Sequence, residues 1–224
     1  VLAECSKSVD AGETELEELG LKGADLIPDG GCFATISTSE SVRALAAAAT
    51  RGGRECRAIV AESRPSCEGV DFATSLPTWG VPVTLVVDAA LPGLLGRCQL
   101  VLVGADSISE DGFVNKVGTY PLALAAREAG VPLYVASLSD KLLPAAIRGR
   151  TDRVWDPGEV LNDPPPGVTV ENRYFERVPL SLVTGIVTER GLVAPADVPA
   201  MIAERPVSPA LLGLLFPRAV ETTT

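Results

Sequence analysis

The sequence predicts an α/β protein of Rossmann-like type, a mostly parallel sheet with helices on both faces, and three observations predict it. The strongest apolar runs, CRAIVA at 56–61 and QLVLV at 99–103, are continuously hydrophobic, as strands covered on both faces are. These runs alternate with capped segments of helical period, the strand–helix beat of a doubly wound sheet. Polar residues recur just past the runs, at Ser37, Glu62, Asp88, Asp106 and Ser137. Parallel strands all end on the same side, so these residues are expected along one edge, where such folds hold their ligands.

The elements follow in order. DAGETELEELG pairs Asp10 with Glu13 in capping-box spacing and puts Leu16 and Leu19 on one helical face, so a short helix opens the chain. Residues 1–24 read as an N-terminal helical segment and 25–224 as one Rossmann-like domain. Cys32–Ile36 is a strand after an Asp-Gly turn, and STSESVRALAAAA is a helix capped by Thr38 or Ser39 and stopped near Gly52–Gly53. A second strand ends at Glu62, followed by a loop and helix over PSCEGVDFATSLPTWG. A third covers 82–88 and a fourth QLVLVGAD; residues 104–120 then read as a glycine-bounded loop. TYPLALAAREAG is a helix with Pro121 in its first turn and Gly130 at its stop, and VPLYVAS is a fifth strand. DPGEVLNDPPPG is a proline-rich loop, and FERVPLSLVTGIVTERGLVAPADVPAMIAER returns to a strand and two short helices.

Composition excludes several function classes. The 224 residues are 46% hydrophobic but only 4% aromatic, so Ala, Leu and Val must fill the core. A formal charge of −10 argues against a nucleic-acid partner. Histidine is absent, which removes Ser-His triads, histidine bases and most zinc or iron sites, and no metal is expected. The five cysteines show no CxxC spacing and read as reduced thiols. No strand runs into GxGxxG or GxxxxGK[ST], so no dinucleotide or other cofactor is indicated. Neither a basic, apolar leader nor a membrane-length apolar run is visible, and a cytoplasmic location is expected.

The candidate site residues fall at the strand ends. Asp106 is either a turn acid answering loop amides or a general acid–base whose pKa a dry pocket would tune. Lys116, one of only four lysines, and Asn115 are either a solvated tip or a phosphate-binding pair; flanking Phe113, Val114 and Val117 favour a pair held against the core. Thr119 opens a helix whose N-terminal amides attract anions. Arg64 can clamp a phosphate or carboxylate, with Glu62 as its orienting partner or as a hydroxyl acceptor. In TISTS the hydroxyls are helix caps or anion ligands, and Ser37 without a histidine is a poor nucleophile.

GADSISEDGFVNKVGTYPLALAAREAGVPLYV at 104–135, with ESRPSCEGV, GVPVTLVVDAA and FERVPLSLVTGIVTERG, resembles one family from about residue 23 to 205. That family joins the alpha, beta and delta subunits of translation initiation factor 2B with methylthioribose-1-phosphate and ribose-1,5-bisphosphate isomerases. The resemblance implies a Rossmann-like domain that usually follows a helical one, which these 224 residues do not include. It implies a phosphorylated sugar as ligand, aldose–ketose isomerisation between C1 and C2, and a homodimer, to which PLSLVTGIV and VSPALLGLLF offer apolar surface. It makes Asp106 the catalytic aspartate, Asn115 and Lys116 substrate contacts, and Arg64 part of the phosphate region. Ser37 stands where the isomerases carry a catalytic cysteine, and Glu68 where a glutamine is frequent. A serine is a poorer acid than a cysteine, and Glu68 would repel a second phosphate, so weakened catalysis is expected. The alternative is a non-catalytic subunit like those of the initiation factor.

Overall fold

The computed structural model describes residues 2–147, 151 and 153–204, with side chains from residue 12 onward. A 7-stranded sheet runs in the order β10-β9-β7-β4-β1-β2-β3, and all but β10 are parallel. Its strands are β1 (Gly31–Thr35), β2 (Cys56–Ala61), β3 (Val83–Val86), β4 (Leu100–Val103), β7 (Leu133–Ala136), β9 (Gly185–Thr188) and β10 (Gly191–Val193). The chain starts in the middle at β1, winds outward through β2 and β3, then returns across β1 to β4, β7 and β9. The order therefore reverses between β1 and β4, the switch point at which doubly wound folds open a crevice beyond the strand ends.

Both faces of the sheet's central strands are covered, which is why those strands are almost wholly apolar. In β4, Val101 and Val103 pack on one side with Ile36, Leu122 and Ala123, while Leu100 and Leu102 pack on the other with Phe33, Leu45 and Val60. Helices α1 (Leu2–Gly23), α2 (Glu40–Arg51) and α3 (Glu68–Ser75) cover the second side, and α4 (Thr119–Glu128) the first. Fully buried Leu19 fixes α1 against α2, and burying a leucine of that size contributes about 1.5–3 kcal/mol. Ser39 caps α2 by accepting from the Val42 N–H at 3.3 Å, and the chain leaves the helix at Gly52.

Several expectations need correction. The opening helix is not short and does not start at Asp10, since α1 runs through that residue over 22 residues. Residues 107–116 are a hairpin and not a loop: β5 (Ser107–Ser109) and β6 (Gly112–Lys116) pair antiparallel, and β8 (Phe175–Val178) joins them in a 3-stranded sheet. The segment after 175 contributes β8, β9 and β10 besides α5 (Val198–Ala203), more strand than its residues predicted. PLSLVTGIV supplies no free apolar face, since Leu182, Val183, Ile186 and Val187 are buried in the domain's own core. VSPALLGLLF lies outside the described residues.

Candidate active site

The switch point places a cavity of about 590 Å³ beyond the ends of β1 and β4. Ser37, Thr38 and Ser39 reach it from β1, Ser66 and Glu68 from the turn after β2, and Gly104, Ala105 and Asp106 from β4. Asn115 comes from β6, Lys141 from the turn after β7, and Tyr174 and Phe175 from the start of β8. The small sheet thus serves as the far wall. Gly104 is required at the near wall, because a Cβ there would stand 2.6 Å from Ser39 Oγ.

The turns that carry these groups are strained. Ser37 and Ser63 both have φ 67° and Cys67 has φ 57°, left-handed values that cost a non-glycine residue about 1–2 kcal/mol. Cross-bonds hold them: the Ser37 N–H donates to Ser63 Oγ at 2.7 Å, and Ser63 Oγ donates to the Ala61 carbonyl at 3.1 Å. Asp88 accepts from the Ser63 and Arg64 N–H groups at 2.7 and 2.8 Å, so this strand-end acid is a structural clamp.

Lys116 is the centre of the site's electrostatics. Only 2% exposed, its ammonium lies 2.7 Å from Glu68 Oε1, donates to Ser66 Oγ at 2.9 Å and sits 4.2 Å from the centre of the Tyr174 ring. Ser37 Oγ donates to the same Glu68 Oε1 at 2.8 Å, and Ser66 bonds its Oε2. Burial pushes the Glu68 carboxyl up, but bonds from Lys116, Ser66, its own backbone and Ser37 outweigh it and hold the pKa below the usual range. Glu68 is therefore ionised, and the one hydroxyl proton of Ser37 is committed to it.

Asp106 is the opposite case. Its backbone N–H donates to the Val114 carbonyl, which starts the hairpin, while its carboxylate is exposed to the cavity and has no hydrogen-bond or ion-pair partner among the described residues. Desolvation by the cleft walls lifts its pKa; Lys141 and Lys116 pull it back and Glu68 raises it further. Lys141 Nζ is anchored on the Ala105 carbonyl at 2.8 Å, one residue from that carboxylate. Asn115 donates to Thr119 Oγ1 at 3.0 Å, and its carbonyl oxygen has no partner among the described residues.

The structure thus brings together Ser37, Glu68, Asp106, Asn115 and Lys116, and leaves out Arg64, Glu62 and Ser137. Arg64 is exposed and turns to the proline-rich loop, where its guanidinium donates to the Glu159 carbonyl at 3.3 Å. Glu62 and Ser137 do not line the cavity. The α4 N-terminus is no anion site either, because Glu176 Oε1 already accepts from the Gly118 and Tyr120 N–H groups at 2.7 Å each. Three groups escaped the sequence reading. Lys141 had a signal, being a rare lysine just past an apolar strand; Ser66 and Tyr174 had none, since a bent turn and a distant strand bring them in. Among the described residues no group of three His, Cys, Asp or Glu side chains is placed to hold a metal, and no helix is long and apolar enough to cross a membrane.

The chain is a doubly wound domain with lysines and carboxylates at its switch point, the place where folds of this class open a crevice. The chain belongs to the initiation factor 2 subunit family, which matches residues 1–195. It is 41% identical over 202 residues to a ribose 1,5-bisphosphate isomerase of Haloterrigena turkmenica, covering 84% of this chain and 62% of that relative. It is 34% identical over 216 residues to a methylthioribose-1-phosphate isomerase of Heliobacterium modesticaldum, covering 87% and 62%. Among solved structures, translation initiation factor eIF-2B of Pyrococcus horikoshii OT3 superposes with a TM-score of 0.74 at 31% identity, over 86% of this chain and 69% of that one. The chain spans less than two thirds of the length of these two isomerase relatives.

Proposed function

We propose that the cleft binds a phosphorylated sugar and that the chain is an aldose–ketose isomerase relative, acting on substrates of the ribose 1-phosphate type, whose catalysis is weakened. One observation carries the reading: the Asp106 carboxylate, without a partner among the described residues, opens on the same cavity as Lys141 and beside buried Lys116. Lys141 and Lys116 supply the charge that holds a phosphate, and the Asn115 carbonyl oxygen accepts a sugar hydroxyl. Asp106, with its raised pKa, is suited to move a proton between C1 and C2 of the opened sugar. Ser37 is the weak member. Its proton points into an ionised Glu68, so ring opening lacks a ready acid, and losing such a group lowers rates by about 10²–10⁴.

Calorimetry with methylthioribose 1-phosphate and ribose 1,5-bisphosphate tests the binding half, with heat lost in Lys141→Ala. NMR in deuterated water tests the catalytic half, with slow exchange at C2 expected and abolished in Asp106→Asn. Titration without heat would favour a non-catalytic subunit, the reading that the initiation-factor relatives support. We also propose a homodimer in the cytoplasm without a nucleic-acid partner; support comes from the exposed Leu85 and Val87 at the β3 edge and from the charge of −10. Sedimentation equilibrium at a monomer mass would remove the dimer.

A further inference from the structure

At the opposite edge of the sheet, two thiols face each other where the strands begin. Cys32 is in β1, and Cys98 ends the short turn that leads into β4; their sulfurs are 3.7 Å apart. Both are buried, at 2% and 6% exposure, and both are free. The backbone is clamped around them, since Gln99 N–H donates to the Cys32 carbonyl at 2.9 Å and the Cys32 N–H to Gln99 Oε1 at 2.7 Å. Cys32 and Cys98 face the same side of the sheet within one hydrophobic cluster, and the short approach of their sulfurs brings a disulfide within reach.

We propose that Cys32 and Cys98 form a peroxide-sensitive dithiol that closes reversibly to a disulfide between β1 and β4. The other cysteines with described side chains do not compete. Cys56, on the neighbouring strand, packs into the hydrophobic cluster on the opposite sheet face, whereas Cys32 and Cys98 share one cluster. Cys67 belongs to the turn at the cleft edge. Exposed Arg57, Arg97 and Gln99 surround the pair, so a molecule of peroxide size has a short way in. The hydrogen bond between the two sulfurs lowers the Cys32 thiol pKa against burial, with Arg57 and Arg97 assisting, which favours its thiolate.

In the first step the Cys32 thiolate attacks one oxygen of hydrogen peroxide; an S–O bond forms, the O–O bond breaks, and the departing hydroxide takes a proton to become water. In the second, the Cys98 sulfur attacks the Cys32 sulfenic acid; the S–S bond forms, the S–O bond breaks, and the hydroxide leaves as water with the Cys98 proton. Two thiols are oxidised by two electrons and one peroxide becomes two waters. The bond would tie together the two strands whose far ends carry Ser37 and Asp106.

The test treats the full chain with hydrogen peroxide, alkylates it under denaturing conditions and maps its peptides by mass spectrometry. The expected product is 2 Da lighter (two hydrogens lost), links the Cys32 and Cys98 peptides, and is restored by dithiothreitol. In Cys98→Ser the link is absent and dimedone labels Cys32. If both cysteines of the wild-type chain alkylate fully after peroxide, if Cys32 pairs with another cysteine or another chain, or if it proceeds to sulfinic acid unlinked, the proposal is wrong; none of these outcomes depends on the variant folding.

Discussion

Lys116→Met should be the most destabilising single change in the site. The substitution keeps the length of the side chain but deletes the ammonium that lies 2.7 Å from Glu68 and 2.9 Å from Ser66. Lys116 is 2% exposed and Glu68 23%, so the carboxylate left behind is partly desolvated and loses the cation it is paired with. Removing one partner of a fully buried pair costs about 3–5 kcal/mol; with Glu68 partly reached by water, about 2–4 kcal/mol is expected. For a domain of this size that is a fall in Tm of about 4–16 °C. Glu68→Gln should cost less, because the amide oxygen still accepts from Lys116 and Ser37. The double variant should recover part of the loss, with a coupling of about 1–3 kcal/mol. Thermal and urea denaturation of all four proteins at neutral pH close the cycle. A loss below about 0.5 kcal/mol for Lys116→Met, or strict additivity, would refute the reasoning that Lys116 and Glu68 are one electrostatic unit.

Asp106→Asn should stabilise the fold at neutral pH while abolishing isomerase exchange. Because the native pKa of Asp106 is raised, the native state holds its proton longer than the unfolded chain, so wild-type stability falls as pH rises from about 4 through its titration. The advantage of Asn should therefore vanish below about pH 4, and a constant advantage across a Tm–pH series would contradict it. Glu176→Ala uncaps α4, whose Gly118 and Tyr120 N–H groups lose their acceptor; a cost of about 1–2 kcal/mol in urea melts is expected, and no change would show that the cap is inert. Ser37→Cys should speed C2 exchange in deuterated water by restoring a more acidic proton donor, and an unchanged rate would show that position 37 is not limiting.

The frame was legible because burial writes itself into the sequence. β1, β2, β4 and β7 lie inside the sheet, so their runs are almost unbroken and their ends, with Ser37 and Asp106, could be placed on one edge. The hairpin was harder. Its first strand, Ser107–Ser109, is short and polar, and only Asp111-Gly112 signalled a turn. Arg64 shows the limit of strand-end reasoning, which places a backbone but not the direction of a long side chain. Glu176 shows another: it satisfies amides 56 and 58 residues away, and no local pattern announces such a partner.

The costs built into the cleft bear on which reading of the chain is stronger. Three non-glycine residues hold left-handed conformations around the pocket, each about 1–2 kcal/mol above an ordinary turn. A lysine is kept almost dry beside a carboxylate, and a second carboxylate, Asp106, is kept without a partner among the described residues while its surroundings raise its pKa. The strained turns and the Asp106 carboxylate are features that a module serving only as a packing surface would gain from relaxing. Strain and unspent charge that converge on one cavity are the marks of a ligand site. They argue for binding more strongly than for turnover. Asp106 is free to act on a ligand, whereas the Ser37 hydroxyl is committed to a hydrogen bond donated to Glu68.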